Sequence, residues 1–170
     1  MRPTTVTHAT PVEVAADRVD LPEWWFTMPD AAYRAASPAH LAFGTSTAAD
    51  GKRLAVCLER LGGAMMLHHY QAEVAEADHL RITSPESRGW LGGMLPIRFS
   101  ATADIRIRPV AQEGSELVFG VEGTAPTALL RAMFASPVMR AILHKHLEEE
   151  MAVFARDIAQ RYAQRSPVRR

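Results

Sequence analysis

One cysteine, Cys57, is all the thiol chemistry the 170-residue chain has. That excludes an internal disulfide and a thiolate metal cluster, and it suits a reducing, cytoplasmic setting. Charge of a single sign is missing too, since 19 basic residues balance 19 acidic ones. Apart from the run from Arg165 to Arg170, no Lys/Arg stripe is present that could follow a phosphate backbone, so nucleic acid is not an expected partner. The first residues, MRPTTVTHATPVEV, lack the apolar segment of a secretory signal. No stretch approaches the roughly 18 consecutive apolar residues of a membrane span. A phosphate-cradling glycine loop, a dinucleotide fingerprint and a nucleophile elbow around any serine are also lacking. What the chain does have is a globular composition, 48% hydrophobic and 22% charged, in a length that suits one domain with a real core.

Periodicity predicts the element order. Residues 1–8 read as a tail, 9–165 as a single domain and 166–170 as a basic tail. A first strand is expected at 11–16. Pro22, Pro29 and Pro38 then cut the following segment into two short helices, 23–27 and 30–36, with Asp30 expected to cap the second. From His40 the pattern changes to strands and turns, at 40–46, 52–61, 64–75 and a short 79–83, with turns at Ala49-Asp50-Gly51, Gly62-Gly63 and Gly92-Gly93. Phe99, Ala101, Ala103, Ile105 and Ile107 alternate with polar residues in the clearest half-buried strand. A turn at Glu113-Gly114-Ser115 and a strand at 116–122 precede a helical C-terminal region, whose main helix is expected at 137–164 with Pro137 in its first turn. This is an α+β order, and the long helix can bury its apolar stripe only against the concave face of a curved antiparallel sheet of six to seven strands, which leaves a cavity between them.

That long helix carries the most informative pair in the chain. At roughly 100° per residue, with Leu143 at zero, Met139, Leu147, Met151, Phe154 and Ile158 spread from about −40° to about +80°. Glu150 falls inside that stripe, at about −20°, and His146 at its edge, at about −60°, one turn before it. A His and a carboxylate at i and i+4 converge on one point, as a bound metal requires. His144 and Glu148 have the same spacing but land at about +100° and +140°, off the stripe, and read as a solvated pair. Two further residues complete a candidate set. His40 opens the strand after the short helices, and Glu59 sits just before Gly62-Gly63. Glu59 is ambiguous, because Leu54, Val56 and Leu58 form the more hydrophobic face of its strand, and hydrophobicity would normally bury that face rather than the Ala55-Cys57-Glu59 one. Glu59 faces the cavity if the small residues line it and the larger ones pack against a loop or against a second subunit in a homodimer. Two neutral imidazoles and two carboxylates balance one divalent ion, zinc first, with manganese or iron also suited to such ligands.

The order of elements resembles the helix-grip fold of the START-like, birch-pollen-allergen-like superfamily, over roughly residues 10–164. Within it, Trp24-Trp25-Phe26, Tyr33-Arg34, Pro38-Ala39-His40, Glu59-Arg60-Leu61-Gly62-Gly63 and His146 with Glu150 resemble the metal-dependent hydrolases of diacetylphloroglucinol and phloretin. That resemblance implies zinc on His40, Glu59, His146 and Glu150, hydrolysis of a carbon–carbon bond between an acyl group and a phenolic ring, and a phenol-holding role for Tyr33. The chain is shorter than those hydrolases and has Ala36-Ser37-Pro38 where they carry an aromatic and a His-Pro. His68 and His69 are adjacent in a strand and face opposite sides; His68, on the side of Met66 and Tyr70, is the one expected to reach the cavity and act there. Met65, Met66, Met94, Met133 and Met151 would suit an adaptable apolar pocket. Two readings stand: a metal-dependent hydrolase, and a metal-free carrier or polyketide-cyclase-like binder of an apolar aromatic or lipid ligand in the same cavity, with His146 and Glu150 merely bonded to each other.

Overall fold

The computed structural model describes residues 4–110 and 114–167. Expectations for 1–3, Glu113 and 168–170 lie outside the described residues. Seven strands, β1 (Thr4–Val12), β2 (His40–Thr47), β3 (Arg53–Leu61), β4 (Ala64–Glu76), β5 (His79–Leu91), β6 (Leu95–Pro109) and β7 (Ser115–Thr124), form one antiparallel sheet in the order β1-β7-β6-β5-β4-β3-β2. Two short helices, α1 (Leu21–Phe26) and α2 (Asp30–Ala36), follow β1, while α3 (Ala128–Phe134) and the long α4 (Pro137–Tyr162) follow β7. This is the helix-grip architecture.

Local chemistry accounts for the boundaries. Asp20 caps α1 by accepting from Glu23 N–H (2.8 Å), and Ser136 caps α4 by accepting from Met139 N–H (3.2 Å), with Pro137 in the first turn. The β3–β4 hairpin turns on the two residues Gly62-Gly63 and the β5–β6 hairpin on the three residues Gly92-Gly93-Met94, and all four glycines take the positive φ that such tight turns demand. Along β6, Phe99, Ala101, Ala103, Ile105 and Ile107 are all buried, as their alternation predicts, and Ile97 extends the buried row. They join Leu147, Met151, Phe154 and Ile158 of α4 in one core.

Three expectations are corrected. The first strand lies at Thr4–Val12 rather than 11–16, so residues 4–8, expected as tail, belong to it. Its Thr- and Val-rich run pairs with β7, and Pro11 is accommodated because β1 is an edge strand. The short strand at 79–83 is instead the thirteen-residue β5. Pro85, which reads as a stop, sits where the register shifts between Ser84 and Ser87, a bulge that needs no N–H at that position. Asp30 does not cap α2, whose N-cap is Pro29. Its Oδ1 accepts from Phe43 N–H (2.8 Å), tying α2 to the outer strand β2.

Candidate metal centre and ligand cavity

The cavity between sheet and α4 is walled by β3, β4, β6, β7 and α4, and the residues singled out in the sequence meet in it. Tyr33, Glu59, His68, His146 and Glu150 line it, and His40 stands behind Tyr33 and Glu150. Glu59 faces inward. Ala55 and Cys57, its companions on that face, are fully buried, whereas Val56 on the other side is 40% exposed. Hydrophobicity misjudges this strand for a steric reason. The concave side must leave room for the Tyr33 ring, which is itself only 1% exposed, so small residues go inside and larger ones outside.

His40 is fixed from the side away from the site. Its Nδ1 lies 2.7 Å from the Tyr33 carbonyl oxygen, so Nδ1–H donates and Nε2 is left with its lone pair. The imidazole also stacks on the Tyr33 ring, 3.9 Å between centroids and 7° from parallel. Nε2 is 3.1 Å from Glu150 Oε2, yet the carboxylate lies off the axis a hydrogen bond would need, and this buried nitrogen has no hydrogen-bond partner. Burial pushes the His40 pKa down, but the Glu150 carboxylate, near enough to pair with a protonated imidazole although poorly aligned for a hydrogen bond, outweighs it together with Glu59 and leaves it raised.

His146 is also held at Nδ1, which lies 3.2 Å from Ser37 Oγ, and that oxygen accepts from Ala39 N–H. Its Nε2 lies 3.7 Å from Glu150 Oε2 and 3.9 Å from Glu59 Oε2. The two imidazole rings stand edge to face at 5.1 Å. Glu59 Oε1 accepts from the Tyr33 hydroxyl (2.5 Å). Burial pushes the Glu59 carboxyl up, and the three surrounding histidines and the Tyr33 hydroxyl outweigh it and hold it low. The phenol of Tyr33 is driven up by burial and by Glu59, so it stays a donor.

Ligand atoms of His40, His146 and Glu150 all lie within 4.8 Å of one another. A tetrahedral ion with bonds of about 2.1 Å separates its donor atoms by about 3.4 Å. The separations of 3.1 Å (His40 to Glu150) and 3.7 Å (His146 to Glu150) bracket that value, so His40, His146 and Glu150 could hold a zinc-sized ion, while Glu59, 3.9 Å from His146, stands outside that converging group. By contrast, His144 is exposed, as its position off the stripe predicts.

His68 lines the cavity and is 4% exposed, while His69 faces out. Sequence reasoning missed its partners. His68 Nδ1 lies 3.0 Å from Ser87 Oγ, Ser87 Oγ donates to Ser84 Oγ (2.9 Å), and Ser84 Oγ accepts from His69 N–H (2.9 Å). Ser37 was missed as well. Trp25 Nε1–H is buried without a partner in a residue that lines the same cavity. Of the methionines expected at the pocket, Met66 lines it, together with Met139. Met94 does not, because it sits on the β5–β6 hairpin and is 86% exposed.

No family model and no curated protein matches the chain. Solved structures do. An aromatase/cyclase, Zhui, from Streptomyces sp. R1128 is 14% identical with a TM-score of 0.61, covering 95% of this chain and 96% of that one. A START superfamily protein from Mycobacterium smegmatis is 12% identical with a TM-score of 0.60, covering 92% and 97%. The major latex-like protein 151 of Panax ginseng is 12% identical with a TM-score of 0.57, covering 95% and 99%. Among the described residues no helix is long and apolar enough to cross a membrane. At these identities the likeness extends to the backbone, and the chain has the helix-grip fold of START and aromatase/cyclase proteins.

Proposed function

We propose that the chain binds a small acylated phenolic or β-diketone-like compound in this cavity and hydrolyses a carbon–carbon bond in it, with a divalent ion, zinc first, held by His40, Glu59, His146 and Glu150. One observation carries the reading. Two buried imidazoles, each engaged elsewhere at Nδ1, bring Nε2 to a carboxylate oxygen without the His40 nitrogen forming a hydrogen bond to it. Groups placed to satisfy one another would be bonded, whereas groups placed for a shared ion point past one another.

An ion held there would supply Lewis acidity toward a carbonyl oxygen and would lower the pKa of a water. The rest falls to the chain. Glu59 and Glu150 would neutralise the added charge, the Tyr33 carbonyl keeps His40 in one tautomer, and the Ser37 hydroxyl orients the His146 ring. Tyr33 holds its proton and, beside Glu59, is placed to orient a phenolic oxygen of the ligand. Phe99, Phe119 and Leu143 on the surrounding walls exclude bulk water.

The test is acetate release from an acetylated trihydroxybenzene. Zinc-loaded protein is expected to release acetate, and chelation or His146→Ala to abolish release, whereas His144→Ala leaves it intact. A second reading, a metal-free carrier or cyclase-like binder, is favoured by the aromatase/cyclase among the structural neighbours. Ligand binding with no acetate release, unaltered by chelation, would select it.

A further inference from the structure

The metal-binding set accounts for one end of the cavity's polar groups and leaves His68 without a role. Its ring is clamped against aromatic walls, stacked on Tyr70 at 5.2 Å and edge-on to Phe99 at 5.5 Å. The serine chain behind it fixes its chemistry. With the Ser87 hydroxyl proton given to Ser84, Ser87 Oγ accepts from His68 Nδ1–H. Nε2 therefore carries the lone pair, on the ring edge away from Ser87. Burial holds the His68 pKa below its ordinary value against the pull of Glu59, which keeps the imidazole neutral. Bulged strands often serve to aim a side chain, and both serines lie at the β5 bulge. A second observation comes from Trp25, whose buried, unpartnered indole N–H lines the same cavity and calls for an oxygen brought from outside.

We propose that His68 is the specificity-determining acceptor for a ring hydroxyl of the ligand, so that the cavity selects hydroxylated aromatics over their unsubstituted counterparts. The inference rests on the reading of the cavity as an aromatic-ligand site and does not require the ion. In this account the Ser84–Ser87 pair is a positioning device that holds the tautomer, and Trp25 supplies a donor for the same or a neighbouring ligand oxygen. A site built to bond a hydroxyl discriminates against the analogue lacking it, because its own polar group is then left unpaired.

The experiment is calorimetric binding of acetophenone, meta-hydroxyacetophenone and para-hydroxyacetophenone to the whole protein, with and without chelator. At least one hydroxylated probe is expected to bind about tenfold tighter than acetophenone in both conditions. In His68→Phe that preference falls to within about twofold while acetophenone affinity is kept, and Ser87→Ala reduces the preference in the same direction. A merely structural histidine would weaken all three probes together. Equal affinities in the wild type, or a preference that survives His68→Phe in a protein with a normal melting transition, overturns the assignment of His68. Failure of all three probes to bind overturns the aromatic-cavity reading, and the assignment with it.

Discussion

His146 and Glu150 could be found in the sequence because an apolar stripe makes any polar residue on it conspicuous. Ser37 could not, since a hydroxyl has no periodic signature and its partner lies 109 residues away. It nevertheless holds the His146 ring through Nδ1. Ser37→Ala is expected to weaken zinc binding about 10- to 100-fold, as loss of a ligand-orienting partner does, read by competition with a chromogenic chelator. His68 yields a pH prediction. Its folded pKa is lowered, while in the unfolded chain it titrates near the ordinary value of about 6.5. As pH falls through that value the unfolded chain takes up a proton that the folded one refuses, so this residue's contribution is full above it and is lost toward acid. His40, with a raised pKa, acts in the opposite direction, so the comparison must be between variants. Urea unfolding at about pH 7.5 and about pH 5.5 should show His68→Gln losing less stability between the two than the wild type does.

Among the elements, α4, β6 and α2 follow directly from local pattern, whereas β1 and β5 do not. Both misjudged strands contain proline, which stops a strand unless the strand is an edge or bulges, and neither condition is visible until neighbours are known. Glu59 was obscured for a related reason: alternation reports which face is more hydrophobic, but curvature decides which face has room. On α4 the stripe supplies the packing that anchors the site. Ile158, fully buried and two turns beyond Glu150, should cost about 2–5 kcal/mol on truncation to Ala, while exposed Arg156→Ala should stay within about 0.5 kcal/mol. Denaturant unfolding checks both values. Zinc stoichiometry should be unchanged in each, since neither residue touches the cluster.

At the scale of the molecule, a curved sheet gripping one long helix creates an enclosed, largely apolar space and supports many chemistries, so fold alone does not choose among them. Element order made the fold legible, because only one packing buries the α4 stripe. The proposed reaction class rests on four residues spread over 110 positions, from His40 to Glu150, whose approach to one another depends on the whole sheet closing. The central claim is that this meeting point holds an ion. Its most direct test is the metal content of protein loaded with zinc and then dialysed, measured by mass spectrometry for the wild type, His146→Ala and His144→Ala. One zinc per chain in the wild type and His144→Ala, with loss in His146→Ala, is the predicted result. Retention of no zinc by the wild type, or equal retention by both variants, would contradict it.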